Sequence, residues 1–171
     1  MSTTLVPLSE YLHEVYRPDC EYVDGAVLER NVGEKEHSAW QLALGRLLSR
    51  FRSSAQVRVF PELRLQVAPE RFRVPDMMVV SRAAPDEQII THPPLLCVEI
   101  LSPEDRFGRV NERLADYARM GVHAVWVIDP TKQIGYQCSG DAFQHWTQAS
   151  ALTVSGTPIS LTIEEIVADL D

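Results

Sequence analysis

A mixed α/β domain built around one sheet is what this sequence predicts, on three observations. The stretch VRVFPELRLQV (57–67) alternates apolar and polar residues, the period-two signature of a half-buried strand. LLCVEIL (95–101) and HAVWVIDP (123–130) are apolar on both faces, as strands in the middle of a sheet must be. Two longer segments with helical periodicity flank these runs, EKEHSAWQLALGRLLSRF (34–51) before them and SPEDRFGRVNERLADYARMGV between the last two. The resulting order is helix, three strands, helix, strand (α-β-β-β-α-β), with hairpins added at both ends.

The elements follow in chain order. LSEYLHEVY (8–16) sets Leu8, Tyr11, Leu12 and Val15 on one face of a short helix, with Pro18 behind it. EYVDGAVLE reads as a hairpin turning at Asp24-Gly25, a pair suited to the positive φ angles of a tight turn. In 34–51 the stripe is Trp40, Leu44, Leu47, Leu48 and Phe51, with Glu36 four residues before Trp40. Strand 57–67 is followed by an APER turn and a second strand, FRVPDMMVV (72–80); a polar loop then leads to the third, 95–101. Gly121 stops the next helix. QIGYQC and AFQHWTQ form a final hairpin, and TIEEIVADL a terminal helix. No repeat or linker interrupts the 171 residues, so one domain over 1–171 is expected.

Composition narrows the function. The net charge of −8 argues against generic nucleic-acid binding and leaves room only for a local basic cleft. Residues 46–73 hold seven arginines and no lysine, either a solvated face or a phosphate path. The three cysteines lack ligand spacing and are read as reduced thiols in a cytoplasmic protein. No apolar run is long enough to span a membrane, and the N-terminus does not resemble a signal peptide. Ser102 sits in no nucleophile elbow, no phosphate loop is present, and the five histidines show no metal-binding spacing. His37, beside Glu36, is the one histidine to follow, more as a satisfied polar group than as a ligand.

Two carboxylates stand where a strand should be apolar. Asp76 shares a face with Val74, Met78 and Val80, and Glu99 lies mid-run in the next strand. Adjacent strands are ~4.8 Å apart, so the two carboxylates can meet. Glu36 is a third candidate. Converging carboxylates repel unless a cation joins them, and hard oxygen ligands suit Mg2+ or Mn2+. Each has a plainer alternative: a helix N-terminus for Glu36, a strand-end turn for Asp76, an arginine partner for Glu99. On the following helix Arg109, Arg113 and Tyr117 recur every four residues along one side. Arg113 borders the core stripe and can reach Glu99 or a phosphate, or simply be solvated.

In the order VPDMMVV, CVEILSPED, a helix ending DYARMGV, and VWVIDP, these motifs resemble the Uma-two family of endonucleases, within the PD-(D/E)XK nuclease superfamily. The resemblance implies a restriction-endonuclease-like core and metal-dependent cleavage of DNA. It implies metal-ligand roles for Asp76 and Glu99, and likens Glu36 to the acidic residue of the first core helix. The superfamily lysine two residues past the acid is replaced here by Leu101. The family's displaced lysine matches Arg113, which can clamp a phosphate but cannot readily exchange a proton. Arg109 and Tyr117 become candidate phosphate contacts, and a homodimer through the N-terminal hairpin would suit a nuclease that cuts both strands. The rival expectation is a catalytically weak or inactive module that binds nucleic acid or protein, with Glu99 and Arg113 as a buried ion pair.

Overall fold

The computed structural model describes residues 5–17, 19–30 and 34–170; Pro18, expected to close the first helix, lies outside them. The elements are α1 (Leu8–His13), β1 (Cys20–Val23), β2 (Ala26–Glu29), α2 (Lys35–Ser49), β3 (Val57–Pro61), β4 (Leu65–Ala68), β5 (Arg71–Arg73) and β6 (Met77–Ser81). They continue with β7 (Leu96–Ile100), α3 (Phe107–Met120), β8 (Ala124–Asp129), β9 (Ile134–Ser139), β10 (His145–Ala149), β11 (Ala151–Thr153), β12 (Ser160–Thr162) and α4 (Ile163–Ala168). The central sheet has six strands in the order β10-β9-β8-β7-β6-β3. Only β7 and β8 run parallel, joined by the crossover helix α3, so the sheet is mixed as expected.

Each face of this sheet carries its own core. Side chains of β6, β7 and β8 that point one way (Met77, Val79, Leu96, Val98, Trp126, Ile128) pack against Trp40, Leu44, Leu47 and Leu48 of α2 and against the C-terminal β11, β12 and α4. Their alternates (Met78, Val80, Cys97, Val125, Val127) pack against Val110, Leu114 and Tyr117 of α3. Burial on both faces is what makes β7 and β8 apolar throughout.

The sequence reading needs correction at two strands. Residues 57–67 are two strands in two sheets, not one. Glu62 adopts a left-handed φ of 47° and turns the chain, so β3 stays on the edge of the central sheet while β4 leaves it. Likewise 72–80 splits: β5 pairs with β1 and β4, the chain crosses at Val74–Asp76, and β6 returns to the central sheet. A second sheet of order β2-β1-β5-β4 results, with the Asp24-Gly25 turn, at φ 49° and 92°, closing the expected hairpin. In α1 only Tyr11 is buried; Val15 lies beyond the helix and is exposed. The short β11–β12 pair has no clear signal in the sequence; Thr162, the last residue of β12, starts α4 through a capping box with Glu165.

Candidate functional site

Asp76 sits one residue before β6. The antiparallel register pairs Met77 with Val98 and Met78 with Cys97, and one step further along it places Asp76 opposite Glu99. Both carboxylates are buried. They line a cleft of about 270 Å³ together with Arg30, His37, Arg73, Arg106, Arg109 and Arg113.

Asp76 is clamped on both oxygens. The Ile100 N–H donates to Oδ2 at 2.6 Å. Arg30, just past β2, pairs with Oδ1, and His37 Nε2 lies 3.3 Å from the same atom. Burial works to raise the Asp76 pKa, but the His37 bond, the Arg30 charge and the Ile100 N–H together hold it below the usual carboxylate range. His37, through that bond, is raised despite its own burial.

Glu99 is in the opposite condition. Tyr117 donates to Oε1 at 2.5 Å, and Arg113 Nε lies 2.9 Å from Oε2, an ion-pair contact without hydrogen-bond alignment. Arg113 also stands 3.9 Å from Asp105. Burial outweighs the attraction of Arg113, and with repulsion from Asp76 added, the Glu99 carboxyl is pushed up to about 7. The facing pair therefore has one firmly ionised member and one that titrates near neutrality. Tyr117, buried against Glu99, is pushed well above the ordinary phenol value.

The structure brings together Asp76, Glu99, Arg113 and Tyr117, and places Arg109 on the cleft wall. It does not bring Glu36 to the two acids. Glu36 is exposed, a turn before the first buried position of α2, and lines a separate small hollow with Pro103, Glu104 and Pro130. Its neighbour His37 makes the contact instead. Arg30 was missed, because its contact with Asp76 spans 46 residues and no local pattern announces it.

The arginine-rich 46–73 stretch forms neither one face nor a phosphate path. Arg46 pairs with Asp169, Arg58 with Asp86, and Arg64 lies over the Tyr11 ring. Arg71 binds Asp24 and Asp116, while buried Arg73 binds Glu21 and Asp116. Of the seven, only Arg73 reaches the cleft.

The donor chemistry suits a hard divalent cation. An ionised carboxylate offers about four lone pairs. Single hydrogen-bond or ion-pair partners on Asp76 Oδ2 and on each Glu99 oxygen leave each of those atoms one lone pair more. Among the described residues no three His, Cys, Asp or Glu side chains cluster closely enough to cage a metal alone. Asp76 and Glu99 are the two acids that would hold such an ion, with the rest of its shell left to water and phosphate. His37, Arg30 and Tyr117 would then orient the ligands from behind.

A mixed sheet with two facing acids at its end, backed by a crossover helix that contributes arginine, is a nuclease-type fold. The chain belongs to the Uma2 family, described as "Putative restriction endonuclease", whose model matches residues 8–166. Its fold is similar to the crystal structure titled as a "putative nuclease belonging to DUF820" from Anabaena variabilis ATCC 29413. That likeness has a TM-score of 0.82 at 23% identity, over 97% of this chain and 99% of that one. No curated protein matches the chain. Among the described residues no helix is long and apolar enough to cross a membrane.

Proposed function

We propose that this protein is a Mg2+- or Mn2+-dependent endonuclease acting on DNA, with Asp76 and Glu99 as the metal ligands. The observation that carries the reading is the pair of buried carboxylates facing each other across β6 and β7 at the wall of an arginine-lined cleft. A divalent cation bound there supplies Lewis acidity, making water a competent nucleophile at neutral pH and drawing charge from a phosphoryl oxygen. The chain does the rest. Ile100 N–H, Arg30 and His37 fix the orientation of Asp76, and Tyr117 fixes Glu99. Arg113, at the edge of the cleft, stabilises charge growing on the phosphate, and Arg109 holds the neighbouring backbone. Arg113 stands for the superfamily lysine as a charge and not as a base.

One observation favours a second reading. The Glu99–Arg113 ion pair expected of an inactive nuclease-fold module is present. Calorimetric titration with Mn2+ separates the two, run on wild type and on the Asp76→Ala/Glu99→Ala double variant, with plasmid nicking assayed in the same samples. Binding and nicking by wild type alone support the nuclease. Binding without nicking retains the metal site and removes the activity, whereas absence of both leaves the binding module.

The β2 edge of the second sheet is a surface on which a second copy could add, which suits the expected homodimer. Cys20, Cys97 and Cys138 are buried and form no disulfide, which fits a reducing cytoplasm.

A further inference from the structure

Phe107 opens α3 and is 65% exposed, an unusual place for a large aromatic ring. It is not loose. Its ring centroid lies 5.0 Å from that of half-buried Trp146 on β10, and Trp146 in turn lies 5.7 Å from Tyr136 on β9. The three rings form a tilted series that braces Phe107 from beneath and leaves its outer surface in water.

The residues beside it are cationic. Arg106 and Arg109 flank Phe107 in sequence and line the cleft. The other arginines of the cleft, Arg30, Arg73 and Arg113, are each held by a buried carboxylate. Among the described residues Arg106 and Arg109 form no ion pair within 4 Å and α3 carries no acid in its first turn, although Glu104, Asp105 and Glu112 line the same cleft. Two guanidiniums held by no carboxylate beside a braced, exposed ring are complementary to one kind of ligand, a chain of phosphates carrying flat apolar faces. Sequence-tolerant binding of single-stranded nucleic acid uses this combination.

We propose that Phe107 is a base-stacking platform and that the preferred substrate of the cleft is single-stranded or locally unpaired DNA, with Arg106 and Arg109 on its backbone. The proposal rests on reading the cleft as a nuclease site. Phe107 stands outside the cleft proper, which Arg106, Arg109 and Arg113 line. From Phe107 to Arg113 is six residues of helix, roughly 9 Å of axial rise and about a third of a turn around the axis. A strand with a base on Phe107 would therefore cross the start of α3 over Arg106 and Arg109, about two or three nucleotides at ~3.4 Å each, to bring a phosphodiester toward Glu99 and Asp76. A base still paired within a duplex has no free face to offer the ring.

Trp146 provides a readout that requires neither metal nor turnover. Trp40 and Trp126 are sealed in the core at 2% and 0% exposure, so quenching by added DNA reports Trp146 beside Phe107. The metal-free protein is titrated at low salt with a short oligothymidylate and, separately, with a duplex of the same length. Wild type is expected to bind the single strand more tightly, with quenching. Phe107→Ala should weaken single-strand binding by about tenfold, leave the duplex affinity unchanged, and erase the preference. Phe107→Tyr should restore the preference, whereas Phe107→Leu, which keeps the apolar surface but not the aromatic face, should not. Equal single-strand affinity in wild type and Phe107→Ala, or rescue by leucine, overturns the proposal. Wild type that binds duplex and not oligothymidylate overturns the stacking site while leaving the nuclease reading intact. Failure to bind either DNA removes both.

Discussion

Glu99 is a carboxylate buried near the end of an apolar strand, and its burial ties the stability of the fold to pH. Its ordinary pKa of 4.5 is pushed up to about 7 in the fold, chiefly by burial. Below pH 4.5 folded and unfolded chains both hold the proton; between 4.5 and about 7 only the folded chain does. The contribution of Glu99 is therefore fully present in acid and lost as pH rises through 7, on the order of 3 kcal/mol. The metal-free protein should melt roughly 6–12 °C higher at pH 5 than at pH 8. His37 is also raised, by Asp76, and its contribution falls in the same direction. Glu99→Gln should thus flatten most of the slope and leave a residue of it due to His37, with no loss of stability at pH 8. A cost of about 3 kcal/mol or more at pH 8 would mean that the Arg113 pair outweighs desolvation after all. Arg113 gives a second expectation. Arg113→Gln removes a cation that competes for Glu99 but also the charge that lowers its pKa, so calorimetry in the alkaline range, with Glu99 ionised, should find Mn2+ bound as tightly or more tightly, while nicking falls by about 10²–10³-fold. That Asp76 and Glu99 meet could be read from the sequence, because a charge inside an apolar strand is conspicuous there. Their partners were less visible. Arg113 and Tyr117 follow from helical spacing, but Arg30 comes from another sheet, and the choice of His37 over Glu36 depends on how α2 is rotated above the sheet.

At the scale of elements, a buried ionic cluster fastens the second sheet to α3. Arg73 on β5 donates to Glu21 on β1 and to Asp116 on α3, each at 2.7 Å, and Glu21 also accepts from the Val74 N–H. Arg73, Glu21 and Asp116 are all buried. Removing the shared cation strands Glu21 in a medium that cannot solvate it, while Asp116 retains Arg71 and Arg119, so Arg73→Met should cost about 3–5 kcal/mol in urea unfolding. Adding Glu21→Gln to that variant should recover part of the loss, since the stranded charge is then gone. If Arg73→Met alone is neutral, the cluster does not hold the sheets together. This cluster also explains where the sequence reading failed. Val57, Val59, Leu63, Leu65 and Val67 keep a period of two straight through the turn at Glu62, because β3 packs into the core under α2 and β4, a strand of the other sheet, into the core under α3. Alternation reports that a segment is extended and half-covered, and it carries no information about which sheet covers it. The arginines of 46–73 looked like one surface for the same reason: their partners, Asp24, Asp86, Asp116 and Asp169, are scattered along the chain and meet them only after folding.

For the whole molecule, the net charge of −8 and the two facing acids act in the same direction. A compact chain with this excess of negative charge, and with a buried carboxylate poised near neutrality, is stabilised by whatever cation it can admit. A ligand that binds only the folded state adds about 2.7 kcal/mol when present at ~100 times its Kd, which for a chain of this size is a rise of roughly 5–10 °C in Tm. Mn2+ should give wild type such a shift, and Asp76→Ala should remove it. The pH dependence then identifies the ligand. Asp76 is held below the usual carboxylate range and stays ionised throughout the accessible window, so it contributes no slope. Glu99 must lose its proton before it can coordinate, and it does so near 7. The Mn2+ Kd should therefore be flat above about pH 8 and weaken by about tenfold for each pH unit below 7, with roughly one proton released per ion bound in acid. The same titration of Glu99→Gln should show a weaker Kd that no longer varies with pH in this range apart from what His37 contributes. A wild-type Kd flat across pH 5–8 would place the ion on Asp76 without Glu99, and the facing carboxylates would then be neighbours in the fold and not partners in one site.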